Sequence, residues 1–170
     1  AGFACAYQLK NQDLKIAIID QATFPRDKIC GDALSADVVN QLYRMEQSLG
    51  ENFERFAKKI DSHGVRFVAP NHTFLDINYQ NPNHGNAAGY ISKRLDFDYF
   101  LFKQIENQPN IEIFQGEKVL DIKSESFGIE LKTDQRQLTA KMIIGADGAH
   151  SIVNRKLGNI KVEKDHYYVT

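Results

Sequence analysis

The chain predicts an α/β fold with one doubly wound domain and part of a second, sheet-rich one, and three stretches carry that expectation. At the start, Phe3, Ala6, Tyr7 and Leu9 recur at helical spacing among the small residues Gly2, Ala4 and Cys5, and the apolar run Lys15-Ile16-Ala17-Ile18-Ile19-Asp20 follows and ends on an acid. Far along the chain, Met142-Ile143-Ile144 runs into Gly145-Ala146-Asp147-Gly148, the texture of a buried strand that delivers one carboxylate to a tight turn before a helix. Between them, from His63, parallel-type buried runs give way to alternating segments around Pro70-Asn71, which read as an antiparallel hairpin. Residues 1–62 and 91–158 are therefore expected in the first domain, and 63–90 and 159–170 in the second.

The elements follow in order. Gly2 to about Lys10 predicts a helix able to lie close to a sheet, Asn11-Gln12-Asp13 ends it, and Lys15–Asp20 is a strand. Helix, turn, strand and terminal acid form the second half of a βαβ dinucleotide unit. Gly2 takes the place of the third glycine in G-x-G-x-x-G, and Asp20 lies about 23 residues after the first, where such an acid binds a ribose hydroxyl. On this reading the first strand and two glycines precede residue 1. An ordinary strand-end aspartate is the competing explanation.

Phe24 to Ser35 has neither helical nor strand periodicity and reads as a long ordered loop, of the kind that often carries function. In it Arg26 and Lys28 could neutralise a pyrophosphate, and Gly31 would let the backbone approach a flat ring. Ser35 is placed to cap a helix whose buried side is Val38, Val39, Leu42 and Met45 and which Gly50 ends. A second helix carries Phe53, Phe56, Ala57 and Ile60. The hairpin strands run through Gly64–Ala69 and Thr73–Tyr79, a polar loop covers 80–89, and Tyr90-Ile91-Ser92 leads towards a helix with Phe97, Phe100, Leu101 and Ile105 on its apolar face. Strands are expected at Ile111–Phe114, Lys118–Lys123, Gly128–Lys132 and Leu138–Ile144. A short helix then carries Ile152, Val153 and Leu157 and stops at Gly158. A final alternating segment ends on Tyr167-Tyr168-Val169-Thr170.

In this arrangement Asp147 sits at the carboxyl end of a strand, where it could accept hydrogen bonds from sugar-like hydroxyls, and Gly148 permits close backbone approach. A structural Asp-Gly turn explains the same residues.

Composition narrows the function classes. The 170 residues carry 21 basic and 22 acidic side chains, scattered rather than blocked, which gives no reason to expect nucleic acid as a partner. Cys5 and Cys30 have no metal-ligand spacing and the five histidines form no HExxH pattern, so no metal site is expected. No apolar run reaches bilayer length and no leader pattern opens the chain, which predicts a cytoplasmic protein.

The order of the motifs resembles the p-hydroxybenzoate hydroxylase-like FAD-dependent oxidoreductases, and within them the geranylgeranyl reductase family. Ala1-Gly2 through Asp20 is similar to the remainder of that family's dinucleotide fingerprint. Phe24-Pro25-Arg26-Asp27-Lys28-Ile29-Cys30-Gly31-Asp32-Ala33-Leu34 is similar to its PRxKxCGxxL signature, and Gly145-Ala146-Asp147-Gly148-Ala149-His150-Ser151-Ile152-Val153 to its GADGxxSxV motif. The resemblance implies a Rossmann-like FAD-binding domain with part of a sheet-rich substrate domain. It implies FAD contacts from Asp20 at the adenosine ribose, Cys30 and Gly31 near the isoalloxazine ring, and Asp147 in the ribityl-pyrophosphate region. Arg94, in Arg94-Leu95-Asp96-Phe97-Asp98, corresponds to an arginine that approaches FAD, and Val119 to a residue offering backbone to the adenine. A solvated arginine and a core valine are the alternatives. The family's arginine after SxV is replaced here by Asn154, with Arg155 following.

The implied activity is reduction of isoprenoid carbon–carbon double bonds in a small-molecule substrate, with NAD(P)H as the electron donor and Cys30 as the catalytic residue; an inert thiol is its alternative. A long isoprenoid substrate is compatible with peripheral membrane contact, and the residues say nothing of oligomeric state. An FAD-dependent aromatic-ring monooxygenase and a non-catalytic flavin-fold domain are the rival readings, since a fold alone does not select a reaction.

Overall fold

A computed structural model of the protein describes residues 1–78 and 89–158. In chain order its elements are α1 (Gly2–Leu9), β1 (Ile16–Asp20), β2 (Ala33–Ser35), α2 (Ala36–Met45), α3 (Gln47–Arg55), β3 (Ile60–Ser62), β4 (Gly64–Val68), β5 (Phe74–Asn78), β6 (Gly89–Ile91), α4 (Arg94–Lys103), β7 (Ile111–Gln115), β8 (Val119–Glu125), β9 (Gly128–Thr133), β10 (Gln137–Ala140) and α5 (Ile152–Leu157). They fall into two compact units, Ala1–Phe24 with Leu101–Thr170, and Pro25–Phe100. The expected loop at 80–88 and final strand at 161–170 lie outside the described residues.

In the first unit α1 leads into β1, which pairs parallel with β7 in a register running from Ile16 opposite Ile111 to Asp20 opposite Gln115. The branched side chains of both strands suit a pleated, half-buried surface. Phe24 closes this part of the core. Its ring stacks on Phe102 at 5.4 Å and meets Phe3 edge-on at 4.8 Å, while its N–H donates to Gln115 Oε1 at 2.8 Å. Beyond β7 the chain makes the antiparallel meander β8–β9–β10, with Ile122 and Leu131 buried and cross-paired.

The expected strand Leu138–Ile144 is corrected here: β10 ends at Ala140 and pairs antiparallel with β9, and 141–146 join no sheet among the described residues. Consequently Asp147 does not follow a strand in the sheet that holds Asp20. Hydrophobicity marks 142–144 as extended sequence, but sheet membership needs a neighbour to take up the backbone hydrogen bonds. Without one, Met142 and Ile144 stay exposed.

The second unit packs α2 and α3 around Phe53, which has no exposed surface and meets Tyr90, Phe97 and Phe100 edge-on at 5.4, 5.8 and 5.7 Å. Such aromatic contacts add to the stabilisation from area burial. The Tyr90 hydroxyl donates to Glu54 Oε2 at 2.8 Å, which satisfies a buried polar group, and burial together with that bond drives the phenol's pKa up.

Gly50 does not end the preceding helix as its position suggested. It lies inside α3, where a side chain would strike the Tyr43 ring. The second helix stops at Arg55, and Ile60 belongs to β3. Gly89, read as loop, and Tyr90-Ile91, read as a lead-in to helix, form the central strand of the antiparallel sheet β2–β6–β3, whose edge strand β2 takes Ala33–Ser35 out of the expected long loop. Ser35 holds the N-cap position of α2 but makes no side-chain cap bond. The hairpin β4–β5 forms as expected, with Val65 opposite Ile77 and Phe67 opposite Leu75.

Candidate functional site

In the second unit the loop after Phe24 and the start of α4 are joined through one carboxylate. Asp98 is buried on the first turns of α4, with a side chain only 10% exposed. Its oxygens accept Nε and Nη2 of Arg94 at 2.9 and 2.8 Å, a bidentate pair, and Oδ2 also accepts Arg26 Nη1 at 3.1 Å. Two guanidinium cations meet on one buried carboxylate, and the carboxylate of Asp32 beside Arg94 balances the second charge. The Arg94 backbone N–H donates to Asp32 Oδ1 at 3.2 Å, and the Asp32 carbonyl accepts the Ser92 N–H at 2.9 Å. Asp32 has a φ of +53°, a left-handed conformation that aspartate adopts more readily than most residues, and it bends the loop next to Cys30 and Gly31.

Cys30 is exposed. Its thiol is held below its ordinary pKa, chiefly by a hydrogen bond from the Arg94 side chain and secondarily by the backbone N–H of Asp32. Lys28, the cationic neighbour in sequence, is not the cause; its N–H donates to the Asp27 side chain at 2.8 Å, and the lysine is exposed. Gly31 is exposed as well, and a side chain there would meet open space. Arg94, Arg26 and Cys30 are thus brought into one cluster. Asp98 and Asp32 complete it and were not among the expected site residues. Asp98 was legible as an i,i+4 partner of Arg94, whereas nothing local marks Asp32.

The first unit holds the other expected residues. Asp20, at the end of β1, accepts the Ala22 N–H on Oδ1 at 2.9 Å, and its carbonyl accepts the Glu117 N–H at 3.1 Å. Gly2 opens α1, whose first N–H groups have no capping side chain, and a methyl group on Gly2 would lie 3.6 Å from the Ala146 side chain. Gly2 and the Gly145-Ala146-Asp147-Gly148 segment are therefore neighbours.

Asp147 Oδ2 accepts the N–H groups of Ile152 at 2.7 Å and Val153 at 3.4 Å, so this carboxylate ties down the start of α5. Partial burial pulls its pKa up, but hydrogen bonds from Ser151 and from these backbone groups outweigh it and hold the carboxyl below its usual range. Gly148 has a φ of +79°, which is why glycine stands at this turn. Val119 opens β8 opposite Thr133, beside a bulge.

Sequence reasoning also missed Glu117. It is 1% exposed, accepts the Thr133 hydroxyl at 2.6 Å and Arg136 Nε at 3.0 Å, and so is a buried acid supplied with its partners. An open cleft of about 360 Å³ lies beside α5, lined by Ile143, Gly145, Ser151, Val153, Asn154 and Leu157. No group of three or more metal-ligating side chains occurs among the described residues, and no helix among them is long and apolar enough to cross a membrane.

No family model matches the chain. It is 29% identical to an uncharacterised protein of Methanosarcina barkeri, over 98% of this chain and 39% of that protein. It is 28% identical to the menaquinone reductase of Mycobacterium tuberculosis, over 93% of this chain and 38% of the relative. It is 26% identical to the geranylgeranyl diphosphate reductase of Rhodobacter capsulatus, over 95% and 38%. The chain spans about two fifths of the length of these curated relatives.

Among solved structures, Pseudomonas aeruginosa PqsL in complex with 2-aminobenzoylacetate matches with a TM-score of 0.76 at 19% identity, over 95% of this chain and 44% of that one. PqsL is described elsewhere as a probable FAD-dependent monooxygenase. The likeness is one of fold, and it extends over most of this chain. A variant of the halogenase PltM in complex with FAD matches equally well, with a TM-score of 0.76 at 20% identity, over 92% of this chain and 34% of that one.

The chain's own residues suit such a cofactor in chemical kind. The first unit offers a strand-end carboxylate, and the second offers two arginines gathered on Asp98.

Proposed function

We propose that this chain is part of an FAD-dependent oxidoreductase that reduces carbon–carbon double bonds of an isoprenoid-like small molecule, with NAD(P)H as electron donor. The carrying observation is the Cys30–Arg94–Asp98 cluster, which lies within the stretch resembling the reductase signature, in a chain whose relatives include reductases of menaquinone and of geranylgeranyl diphosphate. FAD, when bound, supplies the two-electron chemistry. The chain's residues bind and orient it in this reading. Asp20 accepts from the adenosine ribose, Val119 offers backbone to the adenine, and Gly2 and Gly148 let backbone approach. Arg26, Lys28 and Arg94 meet the anionic and ring portions, Gly31 lies by the flavin ring, and Asp147 both holds α5 and contacts the ribityl-pyrophosphate region. Cys30 borders the space where the alkene meets the ring. A Rossmann-like first domain, and membership of 63–90 and 159–170 in a substrate domain, belong to the same proposal.

Aromatic-ring monooxygenation is the second reading, and the fold likeness to PqsL favours it. The whole purified protein decides between them. Flavin absorbance comes first, and its absence from freshly purified and FAD-supplemented protein sinks both enzymes. Under anaerobic conditions the reduced protein should then be reoxidised by an isoprenoid alkene, with a saturated product formed. Product that forms only with stoichiometric oxygen uptake would instead establish a monooxygenase. In the same protein Asp20→Ala should weaken FAD binding by about tenfold or more, the scale of one lost charge-assisted hydrogen bond. Unchanged affinity would remove Asp20 from the site.

A further inference from the structure

Glu117, buried just past the end of β7 in the first unit, is gripped by the turn 133–136 that joins β9 to β10. All four residues of that turn reach the loop 116–118. Thr133 donates its hydroxyl to Glu117 Oε1 at 2.6 Å, and Arg136 donates Nε to the same oxygen at 3.0 Å. Gln135 Nε2 donates to the Gly116 carbonyl at 3.0 Å, the Lys118 N–H donates to Asp134 Oδ1 at 3.0 Å, and the Asp134 N–H returns to the Lys118 carbonyl at 3.0 Å. The Thr133 hydroxyl oxygen also accepts the N–H groups of Gln135 and Arg136 at 3.1 and 2.9 Å, which shapes the turn itself. On its other side the same loop holds the end of β1. The Glu117 N–H donates to the Asp20 carbonyl and the Gly116 N–H to the Ala22 carbonyl, each at 3.1 Å, while the Ala22 N–H donates to Asp20 Oδ1 at 2.9 Å.

We propose that Glu117 is a positioning residue for Asp20: held by Thr133 and Arg136, it fixes the loop 116–118, and through two consecutive amides that loop sets the direction in which the Asp20 carboxylate faces a ribose. This rests on the reading of Asp20 as the residue that accepts from the adenosine ribose of FAD. Burying a carboxylate is costly unless it is paired and hydrogen-bonded, and taking away a partner strands the charge. A network built on such a group has one favourable arrangement, so it resists the small shifts that a loop held by backbone bonds alone allows. Asp20 needs that resistance. A hydrogen bond weakens steeply as it bends, and Oδ1 is committed to the Ala22 N–H, so any movement of the 20–22 turn swings Oδ2, the oxygen offered to a hydroxyl. Gly116 supplies the last part of the brace. Its φ of +66° bends the loop towards β1, and a side chain there would come within 3.4 Å of Thr23 Oγ1, beside the same turn.

The test is the FAD affinity of the whole protein, measured by adding FAD to flavin-free protein, for Glu117→Ala, Asp20→Ala and the two together. Melting temperature and hydrogen exchange of the peptides covering 20–22 and 115–118 are recorded for each. Glu117→Ala should weaken FAD binding by about threefold to tenfold and speed exchange in both peptides. Added to Asp20→Ala it should weaken binding no further, because residues that act as one unit lose their common contribution only once. A loss that adds in full to that of Asp20→Ala would show that Glu117 only supports the unit in general, and an affinity equal to the parent's would show that the brace does not act on Asp20; either result overturns the proposal. If Glu117→Ala does not fold, Thr133→Val removes the hydroxyl from a side chain of the same shape and must give the same non-additive loss, while Thr133→Ser keeps the hydroxyl and must bind FAD as the parent does. A parent that binds no FAD, or Asp20→Ala with the parent's affinity, removes Asp20 from the site and this proposal with it. Weakened binding in Asp20→Ala without any in Glu117→Ala or Thr133→Val keeps the site and removes the brace.

Discussion

At Asp147 one carboxylate oxygen accepts two backbone N–H groups of α5, and this bond set has a measurable cost when it is removed. Asp147→Ala should destabilise the first unit by about 0.5–1 kcal/mol, the lower part of the range for a lost cap, because α5 buries none of its side chains fully. Because the folded-state pKa is depressed, this contribution is present above the ordinary carboxylate range and fades as pH falls through the folded value. The difference in melting temperature between parent and variant should therefore be seen at pH 7 and vanish in strong acid, which calorimetry across pH would check. Cys30 gives the opposite expectation. As an exposed thiol it has no packing to lose, so Cys30→Ser should leave the melting temperature at the parent's value while altering turnover. A large drop in melting temperature would show that the residue is structural.

Elements here are decided by neighbours as much as by their own periodicity. Glycine inside a helix ordinarily costs stability, and alanine would restore about 1 kcal/mol. At Gly50 the sign should reverse, because the Tyr43 ring of α2 fills the space a methyl group would need. Gly50→Ala should lower the melting temperature, and a rise would show that the ring yields freely.

The buried acid between β7 and β8 makes a second case. Arg136→Ala leaves Glu117 buried with the Thr133 hydroxyl but no cation, a change expected to cost about 3–5 kcal/mol. Glu117→Gln keeps hydrogen-bonding capacity and removes the charge, and should cost about 1–2 kcal/mol. Denaturant unfolding of both variants would reveal the order, and the reverse order would mean that Arg136, which is 42% exposed, contributes little.

Across the whole chain, the hairpin β4–β5 leaves Val65, Phe67, Leu75 and Ile77 on one face and exposed, while its other face carries the bidentate Arg66–Asp76 pair with Arg66 over the Phe74 ring at 4.4 Å. A two-stranded ribbon with one apolar face is marginal in water. The 170-residue chain expressed by itself should bind the dye ANS, and Phe67→Lys with Leu75→Lys should reduce that binding without loss of helical signal. Undiminished binding would place the dye elsewhere.

The helices, the longer strands, the hairpin and the strand-end acid Asp20 were legible in the sequence because each depends on local periodicity and on turn chemistry within a few residues, whereas the three-residue strands β2, β3 and β6 were not. The family resemblance also singled out Cys30, Arg94 and Asp147. The fold decided what pairwise contact alone can decide. It placed Gly50 against a ring from another helix, put residues 89–91 in the middle of a sheet, and withheld a strand partner from 142–146. It assigned one oxygen of Asp147 to capping. Above all it set the charge beside Cys30, which comes from Arg94 and not from Lys28 two residues away, because electrostatic and hydrogen-bond energies follow distance in space and sequence separation carries no information about that distance.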